Sequence, residues 1–400
     1  MKKTGKLLSI FCLISVITLL ASCDTNDKDS ATPLTKTEQM TTLQKAGEEF
    51  LNEMSVSQFV GTKNEVIEFA RVFSLAGSSA IRDSLINSAT ITSDGVMTYD
   101  LYNFKGHFTA DTLNHKWIYS KADDLKFIFN DKGGKNYVAT VSVSKEATKT
   151  ILIHQEEISA KLLTRVVYRK TYVKVPKQIN ISLTQGSSTV MSFTLNPDLS
   201  KMAGDFFNPL ADIYTGSGSL TFGAVTIDVN NFAFSANKSA SVDANIHKGD
   251  KNIMSLSMST EGPNIIGVAD STVRYKGLKN LSMNVDVVGK VQFKGTCSNV
   301  PGFMDCIQQA MKNSTDESAF NTSLASANNL MDLGIYFGNN LKQASLYLDP
   351  SKTESGAWRV NPIIKMTDSS ESVSIEDYFG SLIDSFSAWA KDMQQFLPCS

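Results

Sequence analysis

The strongest constraint on this chain is a repeat. Residues 179-195, INISLTQGSSTVMSFTL, align without a gap on residues 242-258, VDANIHKGDKNIMSLSM, at an offset of 63. Gly186 falls on Gly249, Met191 on Met254, Ser192 on Ser255, and Phe193 and Leu195 fall on Leu256 and Met258. In both copies apolar residues recur at every second position, as in a strand with one buried face, and the glycine lies where a hairpin would turn. A fainter copy over 127-143 sets Phe127, Phe129, Gly134, Val141 and Val143 at the same phases.

The same period runs from about residue 91 to 293. It predicts strands at 96-104, 117-119, 125-129, 137-143, 150-154, 166-175, 179-183 and 190-195, then across 219-236, 240-247, 252-259 and 281-293. A further hairpin is expected over 335-348 and a strand over 358-366. Apolar positions alternate with Ser, Thr, Asn, Asp and Lys, so one face is expected to be dry and the other wet.

A one-faced sheet must cover its apolar side, and three helical stretches are available. Met40, Leu43, Ala46, Gly47, Phe50, Leu51 and Met54 keep helical spacing, and Thr62 to Glu65 read as a capping box for a second helix in the same stretch. Phe303, Met304, Ile307, Ala310 and Met311 give a short stripe, after which Ser314 to Glu317 read as a capping box. Ser374 to Asp377 lead into Phe379, Leu382, Ile383, Phe386 and Trp389, the strongest stripe of all. The expected fold is α+β and β-dominated. It is a large curved antiparallel sheet of stacked hairpins, half-barrel-like, packed by N-terminal, middle and C-terminal helices near 36-74, 302-331 and 375-397. No Pro/Ser-rich linker divides 36-400, which predicts one domain; the alternative is a subdivision near 175, where Val175-Pro176 interrupts the strands.

Lys2, Lys3 and Lys6 precede an apolar stretch from Leu7 to Leu20 that is too short for a comfortable span and ends in Leu20-Ala21-Ser22-Cys23. Residues 1-22 read as a signal peptide. Leu-Ala-Ser-Cys resembles the bacterial lipobox, which implies a diacylated Cys23 as the first mature residue and attachment to a membrane through its lipid. Residues 23-35 then read as a flexible tether. Asp24, Asp27 and Asp29 resemble the acidic export signal of Bacteroidota surface lipoproteins, so an outer-membrane address is expected, facing the periplasm or, as favoured here, the cell surface. Ser30, Ser84, Thr112 and Ser271 each follow an Asp, as in the O-glycosylation pattern of periplasmic Bacteroidota proteins. Beyond the leader, the likeness to Bacteroidota envelope lipoproteins of unknown function and to the half-barrels of lipoprotein carriers is architectural.

The composition supplies little for catalysis. With 38 Lys and Arg against 40 Asp and Glu there is no basic excess for nucleic acid, and no such partner is expected. His107, His115, His154 and His247 are scattered outside any metal-ligand spacing. Ser142 to Lys145 and Ser235 to Lys238 match Ser-x-x-Lys but lie in or beside strands, without the companion motifs. No catalytic residue, metal site or cofactor is expected. Cys297 and Cys306 are close enough in sequence to be a disulfide candidate in an oxidising compartment, although with Cys399 three pairings are open.

The expected function is non-enzymatic: binding of an apolar or amphiphilic ligand at the sheet-helix interface, in a cavity lined by alternate strand residues such as Ile181, Phe193, Ile227, Leu256 and Met258. The alternative is a surface glycan-binding or adhesion module, which needs open aromatic platforms, for which Trp117, Tyr119 and Trp358 are the candidates. The partner is thus a lipid or a glycan, and nothing in the sequence sets the oligomeric state.

Overall fold

The computed structural model describes residues 34-55, 79-158, 167-202, 213-235, 239-262, 278-338, 341-367 and 371-396, with isolated positions between them. The lipobox, the tether, Ser30, the capping box at 62-65, Ser271 and Cys399 lie outside the described residues.

In chain order the elements are α1 (Lys36–Glu53), α2 (Ser79–Asn87), β1 (Thr90–Ile91), β2 (Met97–Asp100), β3 (Gly106–Asp111), β4 (Lys116–Ser120), β5 (Leu125–Asn130), β6 (Asn136–Val143), β7 (Ala147–Ile158) and β8 (Val167–Pro176). Next come β9 (Ile179–Gln185), β10 (Ser188–Asp198), β11 (Ile213–Phe222), β12 (Val225–Ser235), β13 (Ser239–Lys248), β14 (Lys251–Glu261), β15 (Asn280–Val287) and β16 (Val291–Cys297). The chain closes with α3 (Val300–Lys312), α4 (Glu317–Leu330), β17 (Met331–Phe337), β18 (Leu341–Lys352), β19 (Trp358–Met366), β20 (Ser372–Ser374), α5 (Ile375–Phe379) and α6 (Leu382–Phe396).

The fold is β-dominated, as the alternation requires. A 16-stranded sheet has the order β20-β19-β18-β17-β16-β15-β14-β13-β12-β11-β10-β9-β6-β5-β3-β4, with β20 and β4 as its ends, so it is not closed into a barrel. The repeat is real at the level of single residues. In the β9-β10 hairpin Gln185 pairs with Ser188 and Thr184 with Thr189, after which Val190 is an extra residue before Leu183 meets Met191. In the β13-β14 hairpin Lys248 pairs with Lys251 and His247 with Asn252, and Ile253 is the extra residue before Ile246 meets Met254. Turn, register and β-bulge coincide at the offset of 63, and Gly186 and Gly249 share a φ of 58°.

Three expectations are corrected. The segment 127-143 is a hairpin, but Asn130 pairs with Asn136 across a five-residue turn, so it does not share the tight turn of the other two. Pairing is not wholly antiparallel: β3 runs parallel to β5, and β2 runs parallel to β8 in a separate four-stranded sheet, β1-β2-β8-β7. The stretch 375-397 is two helices, because Gly380 has a φ of 54° and ends α5.

The chain divides into two compact units, one of Met1–Ser55 with Ala236–Leu397 and one of Val56–Ser235 with Pro398–Ser400; Val175-Pro176 lies within the second. In that second unit Phe108 stacks on Phe127 at 5.2 Å, Phe129 stacks on Tyr137 at 5.4 Å, and Leu125, Ala139 and Leu183 complete a buried cluster.

In the first unit the two faces of the sheet are chemically opposite. Val285, Phe293, Ile335, Ala344 and Met366 pair strand by strand into one buried row. The neighbouring row on the other face reads Asp243, Ser257, Asn284, Lys294, Gly334, Ser345 and Lys365. Helices roof the apolar face in two groups. Phe50 of α1 packs edge-on to Trp389 of α6 at 5.5 Å, and Phe379 of α5 stacks on Phe293 at 6.4 Å. Gln39 is fully buried with both ends of its amide partnered, donating to the Leu34 carbonyl at 2.8 Å and accepting from the Tyr378 hydroxyl at 3.0 Å. The α3-α4 pair packs on β17 to β19, against Met331, Leu348, Trp358 and Val360.

Candidate functional site

The roof over β15 to β19 is uneven. Toward the C-terminal end of α3, Ile307 and Ala310 are buried against Phe320, Leu324 and Ala327 of α4, with Leu348 beneath them. Toward its N-terminal end, Val300, Phe303 and Met304 stay half-buried although all three are apolar. Beneath that half lies a cavity of about 160 Å³ lined almost entirely by apolar atoms.

Local sequence explains the arrangement. Asn299 caps α3 by accepting the Gly302 N–H at 2.9 Å, and Pro301 occupies the first turn, where its missing N–H costs nothing. The spacing of Val300, Phe303, Met304 and Ile307 then turns all four side chains toward the cavity. The floor is a paired row, Met283, Gly295, Leu333 and Leu346, with Leu281 and Pro362 beside it. Gly295 contributes no side chain where its neighbours are large; a Cβ there would lie 2.7 Å from Leu333.

Polar groups stand at the margin. Asp332 is held by the Lys342 ammonium at 2.6 Å. Burial pushes the Cys297 thiol up, against a smaller opposing pull from a backbone hydrogen bond to Asn299, so the sulfur is protonated at neutral pH and acts as a small apolar group. A cavity of this lining gives a ligand dispersion and desolvation rather than hydrogen bonds. A space of about 160 Å³, close to that of an enclosed cavity known to accept benzene but partly open to solvent here, suits a short run of carbons. Neither a family model, a curated protein nor a solved structure matches the chain. The site is therefore read from its own chemistry.

The expected lining residues do not form this cavity. Ile181, Phe193 and Ile227 lie in β9, β10 and β12 of the other unit, half-buried on their strands. Leu256 and Met258 are one strand away: Met258 pairs with Met283, which does line the space. The strands that α3 covers are β15 to β19, not the ones that carry Ile181, Phe193, Ile227, Leu256 and Met258.

The aromatic candidates separate. Trp117 is a core residue, 3% exposed and edge-on to Phe127 at 5.5 Å, and is not a platform. Trp358 is half-buried, stacked on Phe320 at 6.1 Å with the Lys352 ammonium 4.5 Å from its ring centre. Tyr119 is 45% exposed.

Cys297 and Cys306 are both free thiols, so the staple expected from their spacing is not formed. Cys297 faces the cavity, while Cys306 packs against the α3-α4 cluster. Of the glycosylation candidates, Thr112 sits in the turn between β3 and β4 beside Leu113, which is 90% exposed, whereas Ser84 is half-buried within α2.

Proposed function

We propose that this chain is a non-enzymatic, lipid-anchored envelope protein that holds the apolar part of a ligand between α3 and strands β15 to β19. The observation that carries the binding half is the cavity of about 160 Å³ beneath Val300, Phe303 and Met304. The space opens partly to solvent between apolar side chains, and leaving apolar surface wet there is unfavourable unless a ligand covers it. The anchoring half rests on the lysine-flanked apolar leader and Leu20-Ala21-Ser22-Cys23, and the acids of the tether favour the outer membrane and its outward face.

The binding test is native mass spectrometry of the delipidated mature protein, with titration of an uncharged naphthylamine fluorophore as a second readout. Val300→Trp fills the cavity from the helix side and is expected to weaken fluorophore binding at least about tenfold, the loss of ~1.4 kcal/mol of contact. Equal binding by the wild type and the variant overturns the site. For the anchor, Cys23→Ser is expected to abolish incorporation of labelled palmitate and to move the protein out of the membrane fraction. Retention of label refutes acylation at Cys23.

A further inference from the structure

The unit of Val56–Ser235 holds a second cleft of about 330 Å³, of opposite character. One wall is a single face of α2, where Ala80, Asp83, Ser84 and Asn87 follow helical spacing. Facing them are Asn103, Lys105 and the ring of Tyr119.

The Tyr119 ring is seated. Phe108, its directly paired neighbour on β3, supports it with ring centres 5.4 Å apart. Gly106 has a φ of 133°, and a Cβ at that position would come within 2.2 Å of the ring. The backbone is bare where the tyrosine lies across it, and Tyr119 as a whole is 45% exposed.

The polar groups around the ring are balanced. Asp83, which also pairs with Arg82 at 3.4 Å, and Lys105 bring one charge of each sign to the lining, and the Lys105 ammonium lies 4.7 Å from the centre of the Tyr102 ring. The amides of Asn87 and Asn103 and the hydroxyl of Ser84 make no side-chain hydrogen bond with another described residue. A phosphate here would meet a carboxylate as well as an ammonium, and an alkyl chain would strand two amides. A ring with one apolar C–H face and several hydroxyls satisfies both sets, since each hydroxyl donates and accepts.

We propose that the cleft between α2 and the β3-β4 hairpin binds a neutral saccharide, with one sugar ring stacked on Tyr119. The site is separate from the apolar cavity and does not rest on it. The test is an array of neutral mono- and oligosaccharides probed with the mature protein in detergent, followed by NMR titration of the best binder. Tyr119→Phe, which keeps the ring, is expected to bind within about threefold of wild type. Tyr119→Ala and Asn87→Ala are each expected to lose about fivefold or more, while Val300→Trp leaves saccharide binding unchanged. The proposal is overturned by no saccharide binding up to about 10 mM, by Tyr119→Ala binding as wild type does, or by adenosine binding the cleft in place of every sugar tested.

Discussion

Val190 and Ile253 are the same residue position seen twice. Each is the additional residue of its hairpin, and each follows a glycine with a φ of 58° by four positions. At Gly186 and Gly249 a methyl group would meet no atom within 4 Å, so the demand for glycine comes from the backbone alone. Gly186→Ala and Gly249→Ala are each expected to cost about 1–2 kcal/mol, measured as a shift in urea midpoint at constant slope. A neutral result would mean that the turns relax to another type. This pair was readable because turn and pattern agree in both copies. Gly134 also sits in its hairpin's turn, with a φ of 79°, but a gapless alignment matches apolar phase and not loop length, which here is five residues, with Asp131 accepting the Lys135 N–H at 2.8 Å. Trp117 was misread for a related reason: alternation assigns a residue to one side of a strand and leaves open which side is roofed.

Helix α1 is held at its last turns by charge as well as by Phe50. Glu53 pairs with Lys248 at 3.1 Å and Lys251 at 2.7 Å, and Glu49 pairs with Lys251 at 2.8 Å and with Lys290. The lysines thus tie the helix to the β13-β14 and β15-β16 turns. Hydrogen bonds from Lys251 and Lys290 hold Glu49 below the usual carboxylate range, and those from Lys251 and Lys248 do the same for Glu53. Because both titrate lower when folded, their stabilisation is complete above the unfolded value of about 4.3 and is lost as pH falls through the folded values. The double variant Glu49→Gln, Glu53→Gln is expected to be about 1–2 kcal/mol less stable at pH 7, with the gap closing below about pH 4 and narrowing in high salt. A pH-independent difference in melting would assign the effect to packing. The apolar stripe of α1 was visible in sequence. These ion pairs were not, since they join residues roughly 200 positions apart.

The unit that carries the cavity is built from both ends of the described chain. Gln39 and Tyr378 are hydrogen-bonded across 339 positions, and Trp389 donates to the Met54 carbonyl at 2.8 Å. Contacts of that span are formed late, after the loop-closure entropy has been met. A chain ending at residue 370 is expected to lose amide-exchange protection throughout α1 while keeping it in α4. Persistent protection of α1 would show that the sheet alone holds it. The same long closure limits what sequence could reveal about the site. Phe193, Leu256 and Met258 carry the same alternating pattern as Met283, Leu333 and Leu346; only the path of α3 out of β16 decides which set is covered. The sheet, its wet face and the need for helical lids were all readable from residue pattern. The space lies beneath the half-buried Val300, Phe303 and Met304 of α3, and which strands that half of the helix covers is announced by no local pattern.

The N–H of Leu34 donates to the Gln343 side chain at 2.7 Å, which ties the residue just ahead of α1 to β18. With an acyl group on Cys23, as proposed, eleven residues separate lipid from grip. Fully stretched they reach at most about 40 Å. The protein would work on a short lead, patrolling a shell of water no deeper than one small domain, and any cargo would have to come to the bilayer to meet it.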